Sequence, residues 1–94
     1  MQTLDSIDDL ASLIRFHRKQ AELTQVKLAI MAGVSRKVVQ ELEAAREGVS
    51  WRNLLAILHV LNLKLQPVGP LVEHWTNTMA TIESREVGTP APPS

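Results

Sequence analysis

The sequence predicts an all-α fold: a compact domain of four to five helices, followed by one short strand that pairs with its twin across a homodimer. Three observations carry this. Apolar residues recur at helical spacing in successive segments, most of them introduced by Ser or Thr. One glycine, Gly33, separates two of these segments by a tight corner. Near Leu63 the hydrophobic period changes from helical to alternating.

The first helix is expected from about Ile7 to Gln20. Ser6 is its cap, with Asp9 three residues on in a variant of the capping box. Asp8 and Asp9 suit the positive N-terminal end, and Arg15, Arg18 and Lys19 suit the other. Leu10, Leu13, Ile14 and His17 follow at helical spacing. Thr24 caps a second helix of about two turns, which Gly33 ends in a left-handed turn. Ser35 caps a third, with Val38, Val39 and Leu42 as its apolar positions. Two short helices joined by such a turn make a helix-turn-helix. Ser50 caps a fourth. Leu54, Leu55, Ile57, Leu58 and Leu61 give it so much apolar surface that it reads as central and buried.

In Leu63 to Val68, Leu63 and Leu65 face one way, Lys64 and Gln66 the other. The segment reads as a strand bounded by Pro67 and Gly69-Pro70. No second strand candidate exists in the sequence. A lone strand leaves backbone groups unpaired on both edges, and a second copy of the chain satisfies them across a two-fold axis. The competing reading is a solvated linker. Beyond it, Val72, Trp75, Met79 and Ile82 are spaced three, four and three apart, on one face of a helix starting near Pro70. That helix either caps the dimer or folds when a partner binds. The chain thus divides into an N-terminal arm (1–5), a helical domain (6–62), the strand (63–68), a C-terminal segment (69–86) and a tail (87–94) whose Pro-rich end predicts disorder.

Composition narrows the function. Ninety-four residues make one domain, too small for a large enzyme cleft. Cysteine is absent, which excludes a disulfide framework, a thiolate metal site and a thiol nucleophile. His17, His59 and His74 have no metal-ligand spacing, and His17 reads as a core or interface histidine. No triad and no Gly-rich phosphate loop appears. The expectation is therefore no catalysis, no metal and no cofactor. No apolar run is long enough to cross a bilayer, and the N-terminus lacks a basic-then-apolar signal pattern, so a cytoplasmic location is expected. Net charge is zero, from ten basic and ten acidic residues. The charges are not mixed evenly. Residues 15 to 52 hold eight basic and four acidic residues, a net +4, and the flanks carry the balancing −4. A basic block between acidic ends suits a face for nucleic acid.

The stretch Leu23-Thr-Gln-Val-Lys-Leu-Ala-Ile-Met-Ala-Gly-Val-Ser-Arg-Lys-Val-Val-Gln-Glu-Leu-Glu43 resembles the Xre/Cro family of lambda-repressor-like domains. Thr24-Gln25 opens the second helix. Leu28, Ala29 and Ala32 supply its packing positions, Gly33-Val34 the turn, and Val39 and Leu42 the inner face of the recognition helix. The likeness covers roughly residues 10 to 63. The Leu61-Asn-Leu-Lys-Leu-Gln66 ending looks like the HipB-like group of antitoxins, in which a short Leu-x-Leu strand closes the dimer. One departure stands out. The family often places Glu-x-Gly after the recognition helix. Here Glu43-Ala-Ala-Arg-Glu-Gly48 delays the glycine, so the third helix is expected to run a turn longer.

The resemblance implies a double-stranded DNA partner with an inverted-repeat operator, read by the N-terminal part of the recognition helix. Ser35, Arg36, Lys37 and Gln40 are the candidates for base contact. Arg or Lys matches guanine O6 and N7, and Gln matches adenine. The plainer alternative for Arg36 and Lys37 is phosphate neutralisation. Gln25, Arg46, Arg52 and Asn53 are candidates for phosphate contact, with a solvated polar residue as the alternative for each. The family pattern pairs Arg18 with Glu43 as a structural ion pair. Leu63, Lys64, Leu65 and Gln66 form the dimer strand. Val26, Ile30, Trp75 and Met79 are apolar candidates for a protein partner. A HipB-like assignment implies a repressor that is the antitoxin and autoregulator of a HipA-like kinase toxin operon. The alternatives are a phage-type or restriction-controller repressor, and a protein-interaction adaptor on the same scaffold.

Overall fold

In a computed structural model the chain forms five helices: α1 (Ile7–Gln20), α2 (Gln25–Ala32), α3 (Arg36–Glu43), α4 (Trp51–Val60) and α5 (Val72–Gly88). The structure describes residues 3–88, with side chains through Glu83. Each of the first four helices starts on its expected cap. The side-chain oxygens of Ser6, Thr24, Ser35 and Ser50 accept from the amides of Asp9, Lys27, Val38 and Asn53 at 3.2, 3.0, 3.3 and 3.1 Å. Each of these bonds satisfies an amide with no partner inside its helix. At α1 the bond is nearly reciprocal: the Asp9 carboxylate accepts from the Asp5 amide at 3.0 Å.

The same four helices end alike. A left-handed residue closes each: Glu22 (φ 57°), Ala45 (57°) and Asn62 (58°) just after the cap, and Gly33 (71°) as the cap itself. At each, the following residue's amide bonds a carbonyl five residues back, as in Leu23 to Arg18 (3.1 Å) and Leu63 to Leu58 (2.8 Å). This double closure saturates the carbonyls that a helix end leaves open. It also corrects the expectation that α3 runs a turn longer. α3 stops at Glu43, because Ala45 takes the left-handed turn that glycine would otherwise supply, and Arg46 bonds back to Glu41 at 2.9 Å.

The core is built by α1 to α4 alone. Ile14, Leu28, Val39 and Ile57 are fully buried, and Ala11, Ala29, Leu42, Leu54 and Leu58 nearly so. Leu23, Val34, Val49, Leu61 and Leu63 pack around them from the connecting segments. Along α4 and its cap residue Leu61, Leu54, Ile57, Leu58 and Leu61 form one stripe at spacings of three, one and three. Leu55 falls outside that stripe and is exposed, against the expectation of burial. His17 is half-buried, with its Nδ1 hydrogen-bonded to the Leu13 carbonyl at 2.8 Å and its ring edge-on to Phe16.

Leu63 to Val68 is neither helix nor ladder within the chain, and no strand occurs among the described residues. Leu63 packs on the core while Leu65 is exposed. α5 takes no substantial part in the helix packing that joins α1 to α4. It runs to Gly88, past the expected segment end and into the stretch expected to be disordered. No Pro or Gly interrupts residues 72–87, so nothing in that stretch stops helix propagation. The rest of the expected tail, 89–94, lies outside the described residues.

The left-handed turns make a paired prediction. Gly33→Ala meets no atom within 4 Å, so its cost is backbone strain alone, about 1 kcal/mol. Ala45→Gly removes that strain and is expected to stabilise by roughly 0.5–1 kcal/mol. Urea denaturation should move the two midpoints in opposite directions.

Candidate nucleic-acid interface

The turn from α2 to α3 sets the candidate face. Gly33 reverses the chain, Val34 inserts into the core, and Ser35 caps α3. Val39 and Leu42 then anchor the inner side of α3. The opposite side is left to solvent, and Ser35, Arg36, Lys37 and Gln40 all lie on it, exposed. The Lys37 ammonium sits 3.8 Å from the Glu41 carboxylate, an exposed pair one turn apart worth a few tenths of a kcal/mol. It leaves Lys37 free to exchange that partner for another anion. Arg36 has no ion-pair partner among the described residues.

The phosphate candidates lie at three places in the fold. Gln25 is the first residue of α2, and its own and the Val26 amide are among those left open at a helix start. Arg46 is exposed just after α3. Arg52, exposed, and Asn53, half-buried, are the second and third residues of α4. The free amides of a helix start favour an anion.

The face is held in place by Glu43, the buried charged residue of the core region. Its carboxylate lies at the C-terminal end of α3, where the helix dipole disfavours a negative charge. Cationic and amide donors offset this. Arg18 from α1 bonds it twice, Nε to Oε2 at 2.6 Å and Nη2 to Oε1 at 2.9 Å. The remaining Arg18 nitrogen, Nη1, donates to the Leu23 carbonyl at 2.8 Å. Gln25 Nε2 donates to Oε1 at 3.3 Å, and Arg15 Nη2 to the Glu43 backbone carbonyl at 3.0 Å. The hydrogen bond to Glu43 and its negative charge hold the Arg18 guanidinium above its ordinary range, against the opposing effect of burial. A raised pKa on a cation stabilises the fold below it and is lost only above it. The pair therefore loses no stability to Arg18 deprotonation at any ordinary pH.

The structure thus brings the Arg18 and Glu43 side chains into contact and adds two groups to them. Arg15 is three residues before Arg18 on the same side of α1, the sequence signal for a shared target. Gln25 has a double situation. One amide hydrogen points to Glu43, and the other hydrogen and the carbonyl oxygen remain for a further partner. The apolar candidates Val26 and Ile30 are exposed on α2, and Trp75 and Met79 on α5, far along the chain from the recognition face. Trp51, at the head of α4, is 63% exposed, and the sequence pattern signals no role for it. Among the described residues no cluster of three or more metal-ligating side chains occurs, and no helix is long and apolar enough to cross a membrane.

A family model described as "Helix-turn-helix domain" matches residues 9–71. No curated protein matches. Among solved structures, those described as "HipB-O4 20mer complex", "MDT Protein" and "Structure of HipA-HipB-O2-O3 complex" each superpose with a TM-score of 0.68 at 23% identity. Each match covers 73% of this chain and 97% of that chain. At this identity the likeness is one of fold.

A double-mutant cycle tests how the face is held. Arg18→Ala leaves the Glu43 carboxylate buried without its main partner and should cost about 3 kcal/mol. Glu43→Ala should cost a comparable amount. Because the two act as a unit, the double variant should fall short of the sum by at least about 1 kcal/mol in chemical denaturation.

Proposed function

The chain belongs to this helix-turn-helix domain family, and from that premise we propose that it is a sequence-specific DNA-binding repressor that acts as a homodimer on an inverted repeat. The observation that carries the reading is the outer side of α3. Four hydrogen-bonding or cationic side chains, Ser35, Arg36, Lys37 and Gln40, lie together there with no buried role. In the major groove Arg36 and Lys37 reach guanine edges and Gln40 an adenine edge. Gln25, Arg46, Arg52 and Asn53 hold the phosphates on either side and set the register. Leu63, Lys64, Leu65 and Gln66 pair with the same segment of a second copy. The two recognition helices then address half-sites about one helical turn apart.

The biological setting we infer is a toxin–antitoxin operon, with this chain as antitoxin and autoregulator and a HipA-like kinase as its partner. Two observations support it. The fold matches structures described as "HipB-O4 20mer complex" and "Structure of HipA-HipB-O2-O3 complex". The apolar side chains of Val26 and Ile30 are exposed on α2 and free to meet a protein.

Gel retardation on DNA from the chain's own promoter tests the DNA reading. Binding should weaken steeply with salt, as phosphate-dominated complexes do. Arg36→Ala should lower affinity about 5- to 100-fold and relax preference at one base position. Arg52→Ala should weaken binding evenly across sequences and flatten the salt slope by about one. No retardation at low salt, with or without the partner, rejects the proposal. Sedimentation at micromolar concentration should show a dimer; a monomer there rejects the strand pairing and leaves the recognition helix to be judged separately.

A further inference from the structure

α5 is the part of the molecule that the helix-turn-helix domain does not explain. The family match ends at Leu71, and α5 begins at the next residue. The helix plays little part in the α1 to α4 packing, yet it carries an ordered apolar stripe. Trp75 is 56% exposed, Met79 37% and Ile82 41%, with Val72 half-buried at the head. Between them stand Glu73, His74, Thr76, Asn77, Thr78 and Thr81, all exposed.

The spacing of three, four and three decides what kind of surface covers this stripe. A helix that packs on a globular core shows a broad apolar face. A strict three-four repeat gives the narrow seam along which two helices wrap on each other. The occupant is therefore a helix, and the chain's own second copy provides one of matching form. We propose that α5 pairs with α5 of the partner subunit in antiparallel orientation, as a helical cover over the dimer strands. This rests on the strand-paired dimer of the preceding section.

Two features favour antiparallel self-pairing. Rotated about its midpoint near Asn77, the stripe matches itself: Val72 meets Ile82, and Trp75 meets Met79. Large side chains thus face smaller ones on every rung. The second is dimensional. An antiparallel ribbon sends its two chains out at opposite ends, about 20 Å apart for six residues at ~3.3 Å each. In the register above the two Val72 residues lie ten residues apart along the axis, about 15 Å. Helices that start at opposite ends of the ribbon run toward one another, which suits an antiparallel pair and not a parallel one. The flank is already prepared, because the Thr78 hydroxyl donates to the His74 carbonyl at 2.9 Å and needs no partner across the seam.

The absence of cysteine makes a clean test in the full chain. In the antiparallel register the two Thr76 residues lie on one flank, about 3 Å apart along the axis. The two Asn77 residues lie on opposite outer sides. A short bis-maleimide should link Thr76→Cys chains into a covalent dimer and leave Asn77→Cys chains unlinked. Met79→Glu should raise the dimer dissociation constant at least about tenfold, without changing the unfolding of the helix-turn-helix domain. A wild-type monomer at micromolar concentration overturns the strand-paired dimer and this pairing together. A wild-type dimer whose Thr76→Cys form does not link, and whose Met79→Glu form keeps its dissociation constant, overturns the α5 pairing alone. So does a Met79→Glu form that stays dimeric but no longer co-purifies with a protein partner.

Discussion

The buried carboxylate of Glu43 is the constraint on which the arrangement of helices turns. It terminates α3, and it is reached from α1 by Arg18, from the head of α2 by Gln25, and through its backbone by Arg15. Arg18 also holds the Leu23 carbonyl in the connection between α1 and α2. A carboxylate in that place is unfavourable alone, being both desolvated and at the wrong end of a helix dipole. It is tolerated only in the one arrangement that surrounds it with donors. Apolar packing makes the four helices collapse. The Glu43 cluster restricts which rotation of α3 satisfies the buried charge. A recognition helix rotated by one residue would carry its outward side chains to a different angle, so the polar cluster and the outward face are two sides of the same choice.

The helix ends serve that geometry economically. Four hydroxyl caps and four left-handed stops let α1 to α4 begin and end within a few residues, with their terminal amides and carbonyls occupied. Helices of eight to fourteen residues are marginal by themselves in water. Their persistence here depends on the caps and on the shared core. The amides that stay open at the heads of α2 and α4 lie beside Gln25, Arg52 and Asn53, and such helix starts favour an anion. Net charge obscures this, since a chain that sums to zero still holds its basic residues on the segment that bears these helix heads.

Much of this was legible in the residue order. Ser6, Thr24, Ser35 and Ser50 announce their helices because capping is local chemistry, and Gly33 announces its turn because only glycine adopts it without strain. The end of α3 was not legible. Ala45 accepts a conformation that its Cβ resists, and the hydrogen bonds that hold it there involve the whole last turn. Leu55 deceived for a simpler reason: an apolar residue beside a buried stripe looks the same as one within it. In the candidate site, the outward set on α3 follows from its period. The convergence of Arg15 and Gln25 on Glu43 does not, because contacts separated by 28 and 18 residues depend on how the helices are folded together. Leu63 to Val68 marks the outer limit of such reading. A ladder needs two strands, and a single sequence names only one of them.

The core's confinement to α1 to α4 gives the chain two levels of cooperativity. Amides of Ile14, Leu28, Val39 and Ile57 are released to solvent only when the whole four-helix unit opens, since each side chain is fully enclosed by the other helices. Amides of α5 answer to a different equilibrium, set by whatever covers its apolar stripe rather than by the domain. The two units are therefore separately adjustable. A change after Gly69 alters what α5 meets, and the domain before it keeps its own free energy of unfolding. The connecting segment acts as a thermodynamic insulator, across which changes in α5 and changes in the four-helix domain can accumulate independently over evolutionary time.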